Sequence, residues 1–94
     1  MVAAPMLYCF AYTPQALAYL KTIQAKLRKQ IIKKVQALAT NPLPHNSRVV
    51  QNRMDGEHVV HRIRSGDYRV LYSIRKNLGQ IVILDIDHRK DVYR

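Results

Sequence analysis

Arginine, histidine and tyrosine are the side chains of this 94-residue chain best equipped for chemistry, and they gather in two stretches. The first runs Arg62-Ile63-Arg64-Ser65-Gly66-Asp67-Tyr68-Arg69-Val70-Leu71-Tyr72. The second is the close of the chain, Asp87-His88-Arg89-Lys90-Asp91-Val92-Tyr93-Arg94. Guanidinium groups clamp phosphate oxygens and stabilise charge as it develops on them. A tyrosine can stack on a base or donate a proton, and a histidine can shuttle one near neutral pH. Neither paired carboxylates nor His/Cys spacing suited to a metal accompanies them. The combination suits phosphodiester chemistry that uses no metal.

The elements that must position these residues follow from local pattern. Gly66-Asp67 is a two-residue hairpin signal between short runs of strand-forming residues. With Ser65 opposite Tyr68, Arg64 faces Arg69, Ile63 faces Val70 and His61 faces Tyr72. Side chains alternate along a strand, so Arg62, Arg64 and Arg69 share one face while Ile63, Tyr68, Val70 and Tyr72 share the other. Like charges directly opposite one another weaken a sheet. Three arginines on one face therefore ask for an anion, although a plain solvated face explains the hairpin alone equally well. In the closing segment a single helical turn puts Arg89 and Tyr93 on one side, with His88 immediately before them.

The rest of the chain favours the anion. Sixteen Lys and Arg stand against six Asp and Glu, a formal charge of +10, and no acidic residue occurs before Asp55. So one-sided a balance opposes compactness by self-repulsion and points to a polyanionic partner, nucleic acid first and a strongly acidic protein second. Neither excludes the other. The length suits a single domain, residues 1–94, with one modest core. No apolar run approaches the ~20 residues of a membrane span. The opening Met-Val-Ala-Ala-Pro-Met lacks the pattern of a signal peptide, and the lone Cys9 is expected to be a small core residue; a reducing cytoplasm is the expected setting.

Taken in order, Leu7 to Tyr12 alternates as a strand, apolar on both sides and expected to be well covered. Thr13-Pro14 is a helix start. Leu17, Leu20, Ile23, Leu27, Ile31, Val35 and Leu38 then form one apolar stripe, and Asn41-Pro42 ends it. The stripe suits one helix or a pair broken near Thr22 to Lys26, and periodicity does not decide between them. Lysines off the stripe read as a solvated face, though Lys26 to Lys34 could also follow a phosphate backbone. Arg48 to Arg53 reads as a short strand or as a loop, with Asp55-Gly56 a turn signal. Strands follow at Val59 to Arg64, Tyr68 to Ile74 and Ile81 to Ile86, the last two joined through Lys76-Asn77-Leu78-Gly79. The expected architecture is α+β: a strand, a helical stretch and a three-stranded antiparallel meander, with the helices on one sheet face. Val59, Ile63, Tyr68, Val70, Tyr72 and Ile74 are expected to meet the helices, and Arg62, Arg64, Arg69 and Leu71 to face away.

The Arg62–Tyr72 stretch followed by His88-Arg89-Lys90-Asp91-Val92-Tyr93 resembles the RelE branch of the RelE/ParE toxin superfamily, and the likeness spans nearly the whole chain. It implies a break in the helical stretch, giving a helical hairpin. It also implies a small basic toxin that enters the ribosomal A site and cuts messenger RNA there, held inactive by a cognate acidic antitoxin. By position, Arg69 matches the arginine that contacts the scissile phosphate, and Arg62 a basic residue that activates or stabilises the reacting groups. Arg89 matches the arginine ahead of the terminal turn, Tyr93 the aromatic that stacks in the A site, and His88 a histidine used in some branches. Arg48, Arg53, Arg64 and Lys90 are the accompanying basic residues expected to contact RNA. No cofactor is implied.

Some positions depart from the family pattern. Val60 stands where some members have lysine, and Asp87 where glycine is common. Asp85 is expected to pair with Arg69 in the free protein. His61 is expected to fill a core or edge position, and Tyr8, Tyr12 and Tyr19 to serve packing. A ParE-like inhibitor of DNA gyrase on the same fold is the alternative function, and a plain RNA-binding module a third.

Overall fold

The computed structural model describes residues 7–89. Along it run β1 (Cys9–Tyr12), α1 (Pro14–Thr22), α2 (Ala25–Ala37), β2 (Arg48–Asp55), β3 (His58–Ser65), β4 (Tyr68–Arg75), a 3-10 turn (Lys76–Leu78) and β5 (Gln80–His88). The strands form one sheet in the order β1-β5-β4-β3-β2, with β1 parallel to β5 and the other pairs antiparallel. The α+β class and the helical hairpin are as expected. The meander gains a strand, because Arg48–Asp55 pairs with β3 instead of remaining a loop.

Thr13 does two jobs at the entry to α1. Its hydroxyl oxygen accepts from the Ala16 N–H at 3.2 Å, and the same hydroxyl donates to the Leu84 carbonyl at 2.7 Å. The helix start is thereby fastened to β5. Ile23 and Gln24 break the stripe by turning extended, with ψ near 140° at both. Thr22 is implicated in the break, since its hydroxyl takes the Tyr19 carbonyl at 2.6 Å, a side-chain bond that competes with helical continuation. Arg28 Nη1 then reaches the Ile23 carbonyl at 3.3 Å, satisfying a group left over at the helix end.

The two helices lie on one sheet face. Ala16, Leu20, Ile23, Ile31, Val35 and Leu38 pack there with Ile63, Val70, Tyr72, Ile81, Ile83 and Ile86. Leu17, expected in the same stripe, is exposed. So is Val59, which keeps the helix-side parity of Ile63 but stands at the β2–β3 hairpin end of the sheet. Cys9 is exposed rather than buried, because β1 is an edge strand whose packed residues Tyr8, Phe10 and Tyr12 occupy its other side.

Leu71 requires the largest correction, for it is 2% exposed, not solvent-facing. It joins Val60, Val82 and Leu84 in a second apolar cluster on the face away from the helices. The cover is β2. Its pairing with β3 is interrupted between Val49 and Met54, where Asn52 takes φ 62°. Such a bulge bends a strand out of the ladder. Val50 packs on the cluster, Arg53 reaches Asp85 on β5, and the Asp55 carboxylate reaches Ser73 and Arg75 on β4. The turn follows one residue later than the Asp55-Gly56 signal suggests, at Gly56-Glu57, which leaves Asp55 in the ladder opposite His58.

Candidate functional site

The β3–β4 hairpin has the register expected of it, with Arg64 opposite Arg69, Ser65 opposite Tyr68 and His61 opposite Tyr72. Gly66 takes φ 60° at the first position of the turn, a left-handed conformation that glycine adopts without steric cost. Arg48 on β2 stands opposite Arg62 on β3. Cross-strand partners share a face, so Arg48, Arg62, Arg64 and Arg69 form one basic surface away from the helices. Arg62 sits at its centre and is half-buried. Burial, and then the charges of Arg64, Arg69 and Arg48, lower the proton affinity of its guanidinium. Lys34 also supports this surface, since its Nζ donates to the Arg64 carbonyl at 3.0 Å from the far side of the sheet. Nothing local in the sequence marks that bond, for the two residues lie thirty positions apart.

The carboxylate on Arg69 is that of Asp87, not Asp85. Asp87 lies directly opposite Arg69 across the β4–β5 ladder. Nε donates to Oδ1 at 3.0 Å and Nη2 to Oδ2 at 3.2 Å, a two-pronged contact with both side chains about a quarter exposed. Asp85 lies opposite Leu71 and instead approaches Arg53 at 3.7 Å. Asp87 and His88 belong to β5 itself and not to the closing turn.

His88 does not join the arginines. It stands opposite Tyr68, whose ring belongs to the helix side, and alternation therefore carries its side chain to that side. The His88 and Tyr68 rings meet edge to face at 5.0 Å, and Tyr68 meets Tyr19 of α1 at 6.5 Å. His88 Nε2 lies 4.0 Å from the Asp67 carboxylate at the hairpin turn. Arg89 follows, and its backbone N–H donates to the Asp67 carbonyl at 2.8 Å. Its exposed guanidinium lies 3.8 Å from the same Asp67 carboxylate. The structure thus sets Arg89 beside the turn that joins Arg64 to Arg69. Lys90 and Tyr93 lie outside the described residues.

Two supports are invisible in the sequence. Asp55 accepts from Ser73 Oγ and from Arg75 Nη2, each at 2.8 Å, and these bonds hold its carboxyl below the usual carboxylate range. Tyr72 donates its phenol hydrogen to the Pro42 carbonyl at 2.6 Å, and burial pushes its pKa up to about 12. The first support holds the β2 flap over the sheet, and the second holds the loop that follows α2. Among the described residues no three His, Cys, Asp or Glu side chains converge as metal ligands. Chemically, the arginine surface can bind and neutralise an extended polyanion, with Arg62 and Arg69 at its middle.

The family model described as the ParE toxin of type II toxin–antitoxin systems, parDE, matches residues 10–93. No curated protein matches. Among solved structures the chain is similar to the archaeal RelE–RelB complex of Pyrococcus horikoshii OT3. That match has a TM-score of 0.76 and 24% identity, and covers 89% of this chain and 97% of that one. The RelBE toxin–antitoxin complex of Mycobacterium tuberculosis gives 0.75 and 25%, covering 89% and 93%. The isolated RelE toxin of E. coli gives 0.68 and 18%, covering 92% and 90%.

Proposed function

The chain belongs to the ParE toxin family of type II toxin–antitoxin systems, within the RelE/ParE superfamily, and from that premise we propose that it cuts messenger RNA in the ribosomal A site. The observation that carries this reading is the surface of Arg48, Arg62, Arg64 and Arg69. Four guanidinium groups in cross-strand register oppose the sheet that holds them, and a polyanion laid along them removes the opposition. RNA carries its own nucleophile, the 2′-hydroxyl, next to each phosphorus. In-line attack needs that hydroxyl deprotonated, the charge on the phosphorane held, and the leaving oxygen protonated. Arg69 holds the scissile phosphate, Arg89 adds charge from the end of the sheet, and Tyr93 stacks on a base to splay the strand.

Of the residues considered for proton transfer, the geometry favours Arg62 over His88, because Arg62 shares the face of Arg69. His88 then acts by position, bracing Tyr68 at the hairpin. Arginine carries its proton near neutral pH, so Arg62 donates to the leaving 5′-oxygen while the proton of the 2′-hydroxyl passes to water. Alignment of the reacting atoms by the ribosome therefore carries much of the rate, and free RNA is a poor substrate. The expected product is a 2′,3′-cyclic phosphate. The test is cleavage on programmed ribosomes, with chelator present, of a message bearing 2′-deoxyribose at the cut site. The natural message is cut and the deoxy message is not; continued cutting of the deoxy message overturns the mechanism.

A second reading, inhibition of DNA gyrase, is favoured by one observation: the matching family model is that of ParE. A supercoiling assay beside the translation assay separates the two. An antitoxin partner is supported by the solved relatives, two of which are toxin–antitoxin complexes.

A further inference from the structure

The contact between Asp87 and Arg69 occupies the group on which the proposed reaction most depends. Asp87 engages Arg69 through Nε and Nη2, the planar edge that matches two oxygens of a phosphate as well as two of a carboxylate. The cross-strand register holds the two residues opposite each other, so the pairing is built into the sheet and not left to chance encounter at the surface. Both side chains are only about a quarter exposed, where an ion pair is less screened by salt than at the open surface. Around them on this face stand Arg48, Arg62 and Arg64, each held in the ladder. Asp85 lies on the same strand two residues away, yet it pairs with Arg53 at 3.7 Å.

We propose that Asp87 is a specificity-determining residue of this face: it acts as an internal phosphate surrogate on the Nε–Nη2 edge of Arg69, and an RNA phosphodiester takes that edge by displacing it. The inference rests on the reading of this face as a phosphate-binding surface. Displacement makes the site selective. A lone phosphate or a weakly bound anion does not repay the loss of a two-pronged carboxylate contact. A strand held along Arg48, Arg62 and Arg64 at the same time does. Asp87 thereby suppresses binding to scattered anions while permitting a polyanion presented in register.

The test uses the full chain and a short single-stranded RNA with every 2′-hydroxyl methylated, so that binding is measured without cleavage. Asp87→Asn and Asp85→Asn each remove one negative charge from the same strand and face. Fluorescence anisotropy across a salt series, with melting curves to verify folding, gives affinity and salt slope for both. Asp87→Asn is expected to tighten binding about tenfold beyond the gain of Asp85→Asn. Its salt slope should steepen, because no displaced carboxylate regains a counterion as the phosphate releases one, with no such change for Asp85→Asn. Arg69→Gln added to Asp87→Asn should abolish the extra gain. Equal gains from the two variants would reduce Asp87 to one charge in a general field and overturn the proposal. Weaker binding by Asp87→Asn would make it an orienting group for Arg69, and overturn it too. If the unaltered protein and both variants ignore RNA while remaining folded, the phosphate reading of the face falls and takes this inference with it.

Discussion

Two residues of β4, three positions apart, separate function from stability. Arg69 points to the basic face and Tyr72 into the core, where it is fully buried. Arg69→Ala is expected to abolish cleavage, while costing only about 1–2 kcal/mol of stability for the bonds to Asp87. Tyr72→Ala should cost about 3–5 kcal/mol, because it opens a cavity and also leaves the Pro42 carbonyl without its donor. Melting curves and ribosome-dependent cleavage measured on both variants test the pair. A larger loss of stability from Arg69→Ala than from Tyr72→Ala would show that the two sheet faces are assigned the wrong way round.

At the scale of elements, the β2 flap and the helix start are the joints worth testing. Asp55 holds the flap through Ser73 and Arg75, and its folded pKa lies below its unfolded value of about 3.9. The sign follows from linkage: the unfolded chain binds the proton more readily, so this stability is present above pH ~4 and is lost as pH falls through the folded value. Denaturant unfolding of Asp55→Asn should show lower stability near pH 7, and a smaller further loss on acidification than the unaltered protein. An identical pH dependence in the two would mean that Asp55 does not hold the flap. Thr13→Ala removes both the cap of α1 and the bond to Leu84, and should destabilise by about 1–2 kcal/mol. Because α1 and β5 are joined there, hydrogen exchange should quicken in both elements; a change confined to α1 would argue against the joint.

The whole molecule carries +10 on 94 residues, and an acidic antitoxin laid over the basic face should bind with steep salt dependence. Affinity measured at low and at moderate salt checks this, and a flat response would remove the electrostatic part of the claim. Local order is where the sequence alone sufficed. Alternation and the Gly66-Asp67 turn specify the β3–β4 register, because a slip of one residue would send every core side chain to the solvent face. Thr13-Pro14 marks the helix start by cap chemistry that acts within one turn. The charge excess, read from composition, already pointed to a polyanion. Tertiary structure decided what depends on elements distant in the chain. Periodicity of 3.6 is the same for one helix or two, so the residue pattern left open a break that the family resemblance implied, and the structure sets it at Ile23-Gln24, where Thr22 and Arg28 bond the carbonyls at the helix end. A leucine that alternates outward reads as exposed, and Leu71 is buried because β2 folds across it. The partner of Arg69 depended on the pairing of β4 with β5, which puts Asp87 opposite it and sends His88 to the other face. The spacing of two acids along one strand cannot say which of them a second strand will bring into register.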